Sequence, residues 1–255
     1  MGLLDSVKIT LQKKNKEIII SNVESLSKEE KDYMIENLVA ISQGRGSFYS
    51  HKTIAKKIHN FMKKQDVKTY NGATAEFFLA CILRKAGFSQ ECCYRNLEEN
   101  SIKKGFDGLF LKDNQYWLTE SKSSAAVNIH NNCHNHTVSL AFRGLKAQIS
   151  GSTNNDPWEN AVSHAKSAQS EDSLIKKLVK LSENYTEGEY ETIGDQNIII
   201  GSTIFSSPIS NINYDEKTLG PLIENHEVSN EVLVAINLDN NEMFVDFISE
   251  VANGE

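Results

Sequence analysis

The sequence predicts an α/β protein, because short runs typical of strands alternate with longer runs that have helical spacing. Two short strands are predicted near the start, in SVKITLQ (6–12) and KEIIISN (16–22), and a buried strand in NIIIGSTIF (197–205). Between them, residues 71–87 are apolar on nearly every side, which indicates a buried helix. With 255 residues, the chain is long enough to bury a large core.

Capping residues locate the starts of the predicted helices. Within SLSKEEKDYMIENLVAIS (25–42), Ser25 or Ser27 could cap a helix that has acids in its first turn. Asn71 is the expected cap of the apolar helix. Asp156 can cap the next clear helix, because Pro157 occupies its first position, where a missing N–H costs nothing.

The C-terminal half shows the same alternation. A short helix is predicted around LAFRGLKAQI (140–149), and helical spacing continues in SLIKKLVKLSE (173–183). EVLVAINL (231–238) and MFVDFISEV (243–251) predict either a final pair of strands or a strand and a helix.

A basic amphipathic helix is predicted in YSHKTIAKKIHNFMKKQ (49–65). Its apolar residues Ile54, Ile58, Phe61 and Met62 recur at helical spacing. The lysines on the remaining surface are either the solvated face of a packed helix or a surface that contacts phosphates. The candidate nucleic-acid-binding residues are Lys56, Lys57, Lys63 and Lys64.

The net charge of −7 is unevenly distributed along the chain. Residues 1–125 hold 20 Lys and Arg against 15 Asp and Glu, a net charge of +5, and the remainder therefore carries −12. A basic half suits a phosphate-bearing partner. The acidic half suits a protein partner, or it simply keeps the molecule in solution.

Residues 105–122, GFDGLFLKDNQYWLTESK, predict a hairpin with charged residues inside an otherwise apolar sequence. Asp113-Asn114 is a plausible type I′ turn, and pairing the arms around it gives facing positions that sum to 227. Asp107 then lies opposite Glu120, where two like charges destabilise a sheet. Lys122 projects on the same face as Glu120.

This arrangement makes physical sense if a hard divalent cation lies between the two acids. Mg²⁺ prefers carboxylate and water oxygens, and the carbonyl of Ser121 is a candidate neutral ligand. The cation would activate water, while Lys122 would orient that water or stabilise negative charge. The alternative is a surface hairpin with ordinary solvated charges, and a one-residue slip would move Asp107 to the other face.

These residues resemble the PD-(D/E)XK nuclease superfamily, whose signature is matched by Asp107 and by Glu120-Ser121-Lys122, with Phe106 where the superfamily name has Pro. The order of elements is also similar over residues 70–206: a helix with an acid, a strand from Cys92 to Leu97, the hairpin, the helix after residue 157 and the strand at 198–205. The resemblance implies a restriction-endonuclease-like core, a mixed central sheet flanked by helices. This core would occupy residues 70–255, and residues 1–69 would form an N-terminal α/β extension.

The resemblance also implies site roles. Asp107 and Glu120 would be metal ligands, Lys122 the catalytic lysine, and Glu76 the helical acid that holds a second metal or a metal-bound water. The cofactor would be Mg²⁺ or Mn²⁺, and the substrate DNA, with RNA left open. The sequence GFDGLF…WLTESKSS most resembles nuclease subunits of bacterial antiphage systems, particularly the Hachiman type, which pairs a nuclease with a helicase.

Other functional hypotheses remain. The cluster from His130 to His136, with Cys133 and His134, has zinc-type ligands but no second ligand pair at a standard spacing, so a polar loop is the default expectation. A Cys133 hydrolase lacks an orienting acid. The main alternative to the nuclease is a catalytically silent module of the same fold that binds nucleic acid or a partner protein.

Several common features are missing from the sequence. No apolar run approaches the roughly 20 residues that a membrane helix needs, and there is no signal-peptide pattern, so a cytoplasmic protein without membrane contact is expected. The four cysteines suggest no disulfide framework. Without a Gly-rich phosphate-binding loop, any ATP-dependent step would belong to another chain.

Overall fold

The computed structural model describes residues 2–11, 13, 15–94, 105–125, 133–212 and 216–254. Its centre is a seven-stranded mixed sheet with the order β1-β2-β7-β6-β5-β4-β3. The strands are β1 (Val7–Thr10), β2 (Lys16–Val23), β3 (Ser89–Gln90), β4 (Gly108–Lys112), β5 (Gln115–Ala125), β6 (Asn197–Phe205) and β7 (Asn230–Leu238). The mixed α/β architecture predicted from the sequence is therefore confirmed.

The sheet has a parallel centre and antiparallel edges. β2, β7, β6 and β5 run parallel to one another, whereas β1 pairs with β2, β4 with β5 and β3 with β4 in antiparallel fashion. The central strands β6 and β7 are buried along almost their whole length, as expected for parallel strands covered on both faces. The strands predicted at the N-terminus lie at one edge of this same sheet.

Helices cover both faces of the sheet. They are α1 (Lys28–Gln43), α2 (His51–Met62), α3 (Val67–Lys85), α4 (Cys133–Ile149), α5 (Pro157–Ser167), α6 (Asp172–Thr186), α7 (Glu216–Glu224) and α8 (Glu242–Asn253). Short 3-10 helices lie at Ile193–Asp195 and Ile209–Asn211.

Alternate residues of the strands supply two hydrophobic cores. On one face Ile199 of β6 and Val234 of β7 pack with α1, α2, α3 and α8. On the other face the adjacent residues Ile200 and Leu233 pack with α4, α5, α6 and α7. The period of two residues along each strand produces this division.

Most predicted helix starts are confirmed. Ser27 Oγ accepts a hydrogen bond from the backbone N–H of Glu30, and the Glu30 carboxylate accepts one from the backbone N–H of Ser27, so a capping box starts α1. Asp156 caps α5, with Pro157 in its first turn. Of the two expectations for the C-terminus, the strand followed by a helix is the one observed.

Three predicted boundaries were wrong. Asn71 does not cap α3, because the helix starts four residues earlier, where Asp66 accepts a hydrogen bond from the N–H of Thr69 at 2.7 Å. The first turn of α3 is largely exposed, so the buried apolar pattern begins only inside the helix. The short helix predicted at 140–149 is the second half of α4. The strand predicted from Cys92 to Leu97 is Ser89–Gln90 instead, and residues 95–97 lie outside the described part of the chain.

Candidate active site

The hairpin of β4 and β5 has the register predicted from the sequence. Gly108 pairs with Thr119 and Lys112 with Gln115, so facing positions sum to 227. Asp113 and Asn114 both have positive φ, 52° and 58°, as a type I′ turn requires. Because the turn fixes the register, residue 107, just before β4, lies beside residue 120 of β5.

Packing around Phe106 holds the start of β4 in place. The Phe106 ring meets the Trp158 ring of α5 edge to face, with centroids 5.0 Å apart. Gly105 approaches Asn160 so closely that a Cβ on the glycine would lie 2.7 Å from the Asn160 side chain. The residue at the position of the superfamily proline is therefore an aromatic side chain packed on α5, and Asp107, the next residue, lies against β5.

Asp107, Glu120 and Lys122 form a compact group of charges. The Lys122 ammonium donates a hydrogen bond to Glu120 Oε1 at 2.6 Å and lies 3.9 Å from Asp107 Oδ2. The same Asp107 oxygen accepts a hydrogen bond from the backbone N–H of Ser121 at 2.8 Å. The Ser121 carbonyl accepts a further hydrogen bond from Lys122 at 3.1 Å. All four residues predicted from the motif thus meet at one place.

Glu76 extends this group from the other helical layer. It lies on α3, lines the same pocket as Asp107, Glu120 and Lys122, and is partly buried. Burial raises its pKa well above the usual value, and the charges of Asp107 and Glu120 raise it further. Among the residues that the structure describes, no hydrogen bond reaches its carboxylate. The predicted helical acid is therefore close enough to the hairpin acids to interact with them.

Burial and mutual repulsion raise the pKa values of the hairpin acids as well. Burial, together with the charge of Asp107, raises the pKa of Glu120 to about 7, against the opposing effect of Lys122. Burial also raises the pKa of Asp107, although Lys122 and the Ser121 N–H counteract the increase. Burial alone would lower the pKa of Lys122, but Glu120 and Asp107 raise it above its ordinary value. Three carboxylates thus compete for one ammonium group.

Sequence reasoning missed Gln148, which holds Glu120 from α4. Its side-chain amide donates a hydrogen bond to Glu120 Oε2 at 3.1 Å. One helical turn earlier, Gly144 also faces Glu120, and a Cβ there would make an ordinary contact with Glu120 Oε1 at 3.4 Å. The available signal was the spacing i, i+4, which places residues 144 and 148 on one face of the helix. A buried carboxylate such as that of Glu120 needs hydrogen-bond donors, and this face can supply one.

A pocket of about 590 Å³ opens above these charges. Residues from both helical layers line it, with Phe61 and Gly72 on one side and Gln148 and His164 on the other. Residues from the two helical layers can meet at the β4 edge of the sheet, because the edge strand β3 is only two residues long. It pairs with Phe110 and Leu111 of β4. The site therefore lies where the short edge strand leaves the beginning of β4 open.

The predicted basic surface is divided between the pocket and solvent. Lys57 lines the pocket, and its ammonium lies 3.8 Å from the centroid of the Tyr49 ring. The other predicted lysines, Lys56, Lys63 and Lys64, are exposed on or just after α2. Positive charge is thus present at the pocket wall and on the adjoining surface.

The histidine cluster is largely helical, so the polar loop expected there was wrong for residues 133–136. Cys133 and His134 are buried in the first turn of α4, and His136 is exposed. The His134 ring hydrogen-bonds Ser202 Oγ at 2.7 Å and Asn237 Oδ1 at 3.0 Å. Burial lowers its pKa to about 4. His130 lies outside the described residues.

The donor atoms of the pocket suit Mg²⁺ better than zinc. Within the described ranges, no three or more His, Cys, Asp or Glu side chains are placed to hold a metal ion by themselves. Mg²⁺ is commonly held by one or two carboxylates, with waters and substrate phosphates completing the octahedron. Two further buried oxygens, Gln148 Oε1 in this pocket and Thr119 Oγ1 in a small cavity that Glu76 and Asp107 also line, have no hydrogen-bond partner in the described part. This oxygen-rich environment fits a hydrated Mg²⁺ ion.

The fold and site define an α/β protein with a pocket at the edge of its sheet, in which three carboxylates lie around Lys122. The model of the HamA family matches residues 12–250. The chain therefore belongs to the HamA family, a family of Hachiman-type antiphage defence proteins. No curated protein matches the chain. The structure has no helix, among the residues it describes, that is long and apolar enough to cross a membrane.

Proposed function

We propose that the chain is a metal-dependent nuclease that hydrolyses phosphodiester bonds of DNA as an effector of Hachiman defence. The observation that carries this proposal is the meeting of Asp107, Glu120 and Lys122 in one pocket, with Glu76 beside them. Several buried carboxylates that repel one another around a single ammonium group lower the stability of the folded chain. A cation that binds between the acids would offset this cost.

Asp107 and Glu120 would hold Mg²⁺ or Mn²⁺, and Glu76 would hold a water of the ion or a second ion. The bound cation would polarise a phosphodiester oxygen and lower the pKa of its water. Ser121 remains the candidate for a neutral carbonyl ligand. Its carbonyl already contacts Lys122, which places that oxygen next to the charged group.

Lys122 would perform the part of the reaction that needs a positive side chain. Its ammonium lies between the two hairpin acids, so it can point towards a phosphate bound by the same cation. There it would orient the attacking water and stabilise the negative charge that develops on the phosphate oxygens. Gln148 would keep the Glu120 carboxylate in one orientation, since it donates to the oxygen that Lys122 does not contact.

A protein partner, such as a helicase, is part of the proposal. Residues 126–255 carry a net charge of −12, which suits a protein contact better than DNA. The sequence has no Gly-rich nucleotide-binding loop, so ATP-driven unwinding would come from the partner. The membership of a Hachiman-type family supports this division of labour.

DNA cleavage by the purified chain tests the proposed activity. Supercoiled and linear DNA would be incubated with Mg²⁺, Mn²⁺ or EDTA and with two variants, Glu120→Gln and Glu183→Gln. Glu183 is a matched control, because its carboxylate is exposed on α6 and forms an exposed ion pair with Lys180 at 3.7 Å. We expect metal-dependent cleavage that Glu120→Gln abolishes and Glu183→Gln leaves unchanged.

Cleavage that survives in Glu120→Gln would overturn the assignment of the pocket. The silent module would be favoured by a different result, in which the chain binds DNA with equal affinity in Mg²⁺ and EDTA and does not cut it. Lys122→Ala gives a second check, because its ammonium is the only one that contacts both hairpin acids in the described part.

A further inference from the structure

One side of the pocket is apolar and aromatic. Ile58 and Phe61 of α2 and Gly72 and Ala73 of α3 line this side. Phe61 was expected to belong to the helix core, together with its neighbours on α2. It is instead 37% exposed, whereas Ile58 and Met62 are 3% and 4% exposed. The Phe61 side chain therefore presents part of its ring to the same space that the acids border.

A partly exposed phenylalanine that lines a charged pocket offers an apolar face that a ligand can cover. Leaving apolar surface in water forgoes about 25 cal/mol for each Å² that could be buried. The acids and Lys122 of this pocket deal with a phosphate and its cation, which leaves the ring without a role in that chemistry. The group that accompanies a phosphate in DNA and has a flat apolar face is the nucleobase.

Gly72 leaves open space in the pocket that Phe61 also lines. A Cβ on Gly72 would meet no heavy atom within 4 Å, although the residue lies inside α3. Glycine within a helix costs about 1 kcal/mol relative to alanine. A small residue thus occurs where a larger side chain would extend into open space at the pocket.

We infer that the pocket selects single-stranded DNA and that Phe61 stacks on the base next to the scissile phosphate. This inference rests on the proposed nuclease function and adds a substrate class to it. In a duplex each base is already paired and stacked, so its face is not available to a side chain. A single strand can turn one base towards Phe61 at little cost. Lys57, which lines the same pocket, supplies positive charge for the adjoining phosphate.

A binding experiment with base-free DNA separates stacking from phosphate contact. The probes are a fluorescent oligothymidine and an oligonucleotide of the same length made of abasic nucleotides, both in Ca²⁺ at low salt. The proteins are the wild type, Phe61→Ala, Phe61→Tyr and the control Phe48→Ala. Phe48 is fully exposed, at 103%, and does not line the pocket.

We expect Phe61→Ala to weaken oligothymidine binding roughly 5- to 150-fold, the loss of one stacked base at 1–3 kcal/mol. Its affinity for the abasic strand should not change, Phe61→Tyr should restore binding, and Phe48→Ala should have no effect. An equal loss on both strands, no loss on either, no detectable oligothymidine binding by the wild type, or equally tight binding of duplex DNA would overturn the inference.

The outcome is independent of catalysis. Base-dependent binding through Phe61 without any metal-dependent cleavage would contradict the proposed nuclease and leave the single-strand inference standing. Metal-dependent cleavage that proceeds at equal rates on single and double strands, and that Phe61→Ala does not slow, would contradict the single-strand inference and leave the proposed nuclease standing. The circular dichroism spectra and unfolding temperatures of the variants confirm that each one folds.

Discussion

Removal of the Glu120 charge should stabilise the metal-free chain more at alkaline than at acidic pH. Burial and the charge of Asp107 raise the pKa of Glu120 from 4.5 to about 7 in the folded chain. Between these two values the folded state binds more protons than the unfolded state. The free energy of unfolding must therefore decrease as the pH rises from about 4.5 to about 7.

The size of this effect follows from the shift itself. Each pKa unit corresponds to about 1.4 kcal/mol, so full ionisation of Glu120 costs roughly 3 kcal/mol of stability. Between about pH 5 and about pH 8, the decrease is about 2–3 kcal/mol. Glu120→Gln has nearly the same size but does not titrate. Its stability relative to the wild type should therefore increase by that amount over this pH range.

Urea unfolding in EDTA at about pH 5 and about pH 8 measures the difference. A thermal scan should show the same trend, with the gap between variant and wild type growing by roughly 4–12 °C. Glu183→Gln is the control and should show no such trend, because the Glu183 side chain is 62% exposed. Mg²⁺ at the higher pH should narrow the gap, since it binds the folded wild type. A gap that stays constant with pH would refute the account of the carboxylate cluster.

The remaining predictions concern stability, metal affinity and the DNA surface. Arg45→Ala should lower the free energy of unfolding in urea by roughly 2–4 kcal/mol, because Arg45 is paired with the buried Glu91 at 2.5 Å. Lys180→Ala removes one partner of an exposed pair and should lower it by less than about 0.5 kcal/mol. Equal losses in the two variants would contradict this reasoning. Gln148→Ala should weaken Mn²⁺ binding roughly 10- to 100-fold, since it removes a hydrogen bond to the ligand Glu120, and an unchanged binding isotherm would exclude that positioning role. Replacing the basic residues of α2 and its C-terminus should flatten the plot of log affinity for DNA against log salt concentration. The slope should change by about 0.7–0.9 for each phosphate that the variant no longer neutralises. An unchanged slope would make this helix merely structural. The residues replaced in that variant are Lys56, Lys57, Lys63 and Lys64.

The hairpin and its charges could be predicted from the sequence because their geometry is local. A two-residue turn with positive φ at Asp113 and Asn114 determines the register of both arms. Once the register is known, the period of two residues places Asp107, Glu120 and Lys122 together. No information from distant parts of the chain was needed for this step.

The rest of the pocket could not be predicted, because it depends on interactions between distant segments. Gln148 reaches Glu120 from a helix 28 residues further along the chain. The sequence places His134 in a polar loop, yet its ring is buried and hydrogen-bonded to Ser202 and Asn237 on the central strands. Phe61 has the spacing of a core residue, and only the packing of α2 against its neighbours leaves it exposed.

The cation is central to the proposed function, so its binding should be measured directly. Isothermal titration of Mn²⁺ into the metal-free chain compares the wild type with Glu120→Gln and with the control Glu183→Gln. We expect the wild type and Glu183→Gln to bind Mn²⁺ alike, and Glu120→Gln to lose at least about tenfold in affinity. Equal binding by Glu120→Gln and the wild type would show that the carboxylates of the pocket do not hold the ion.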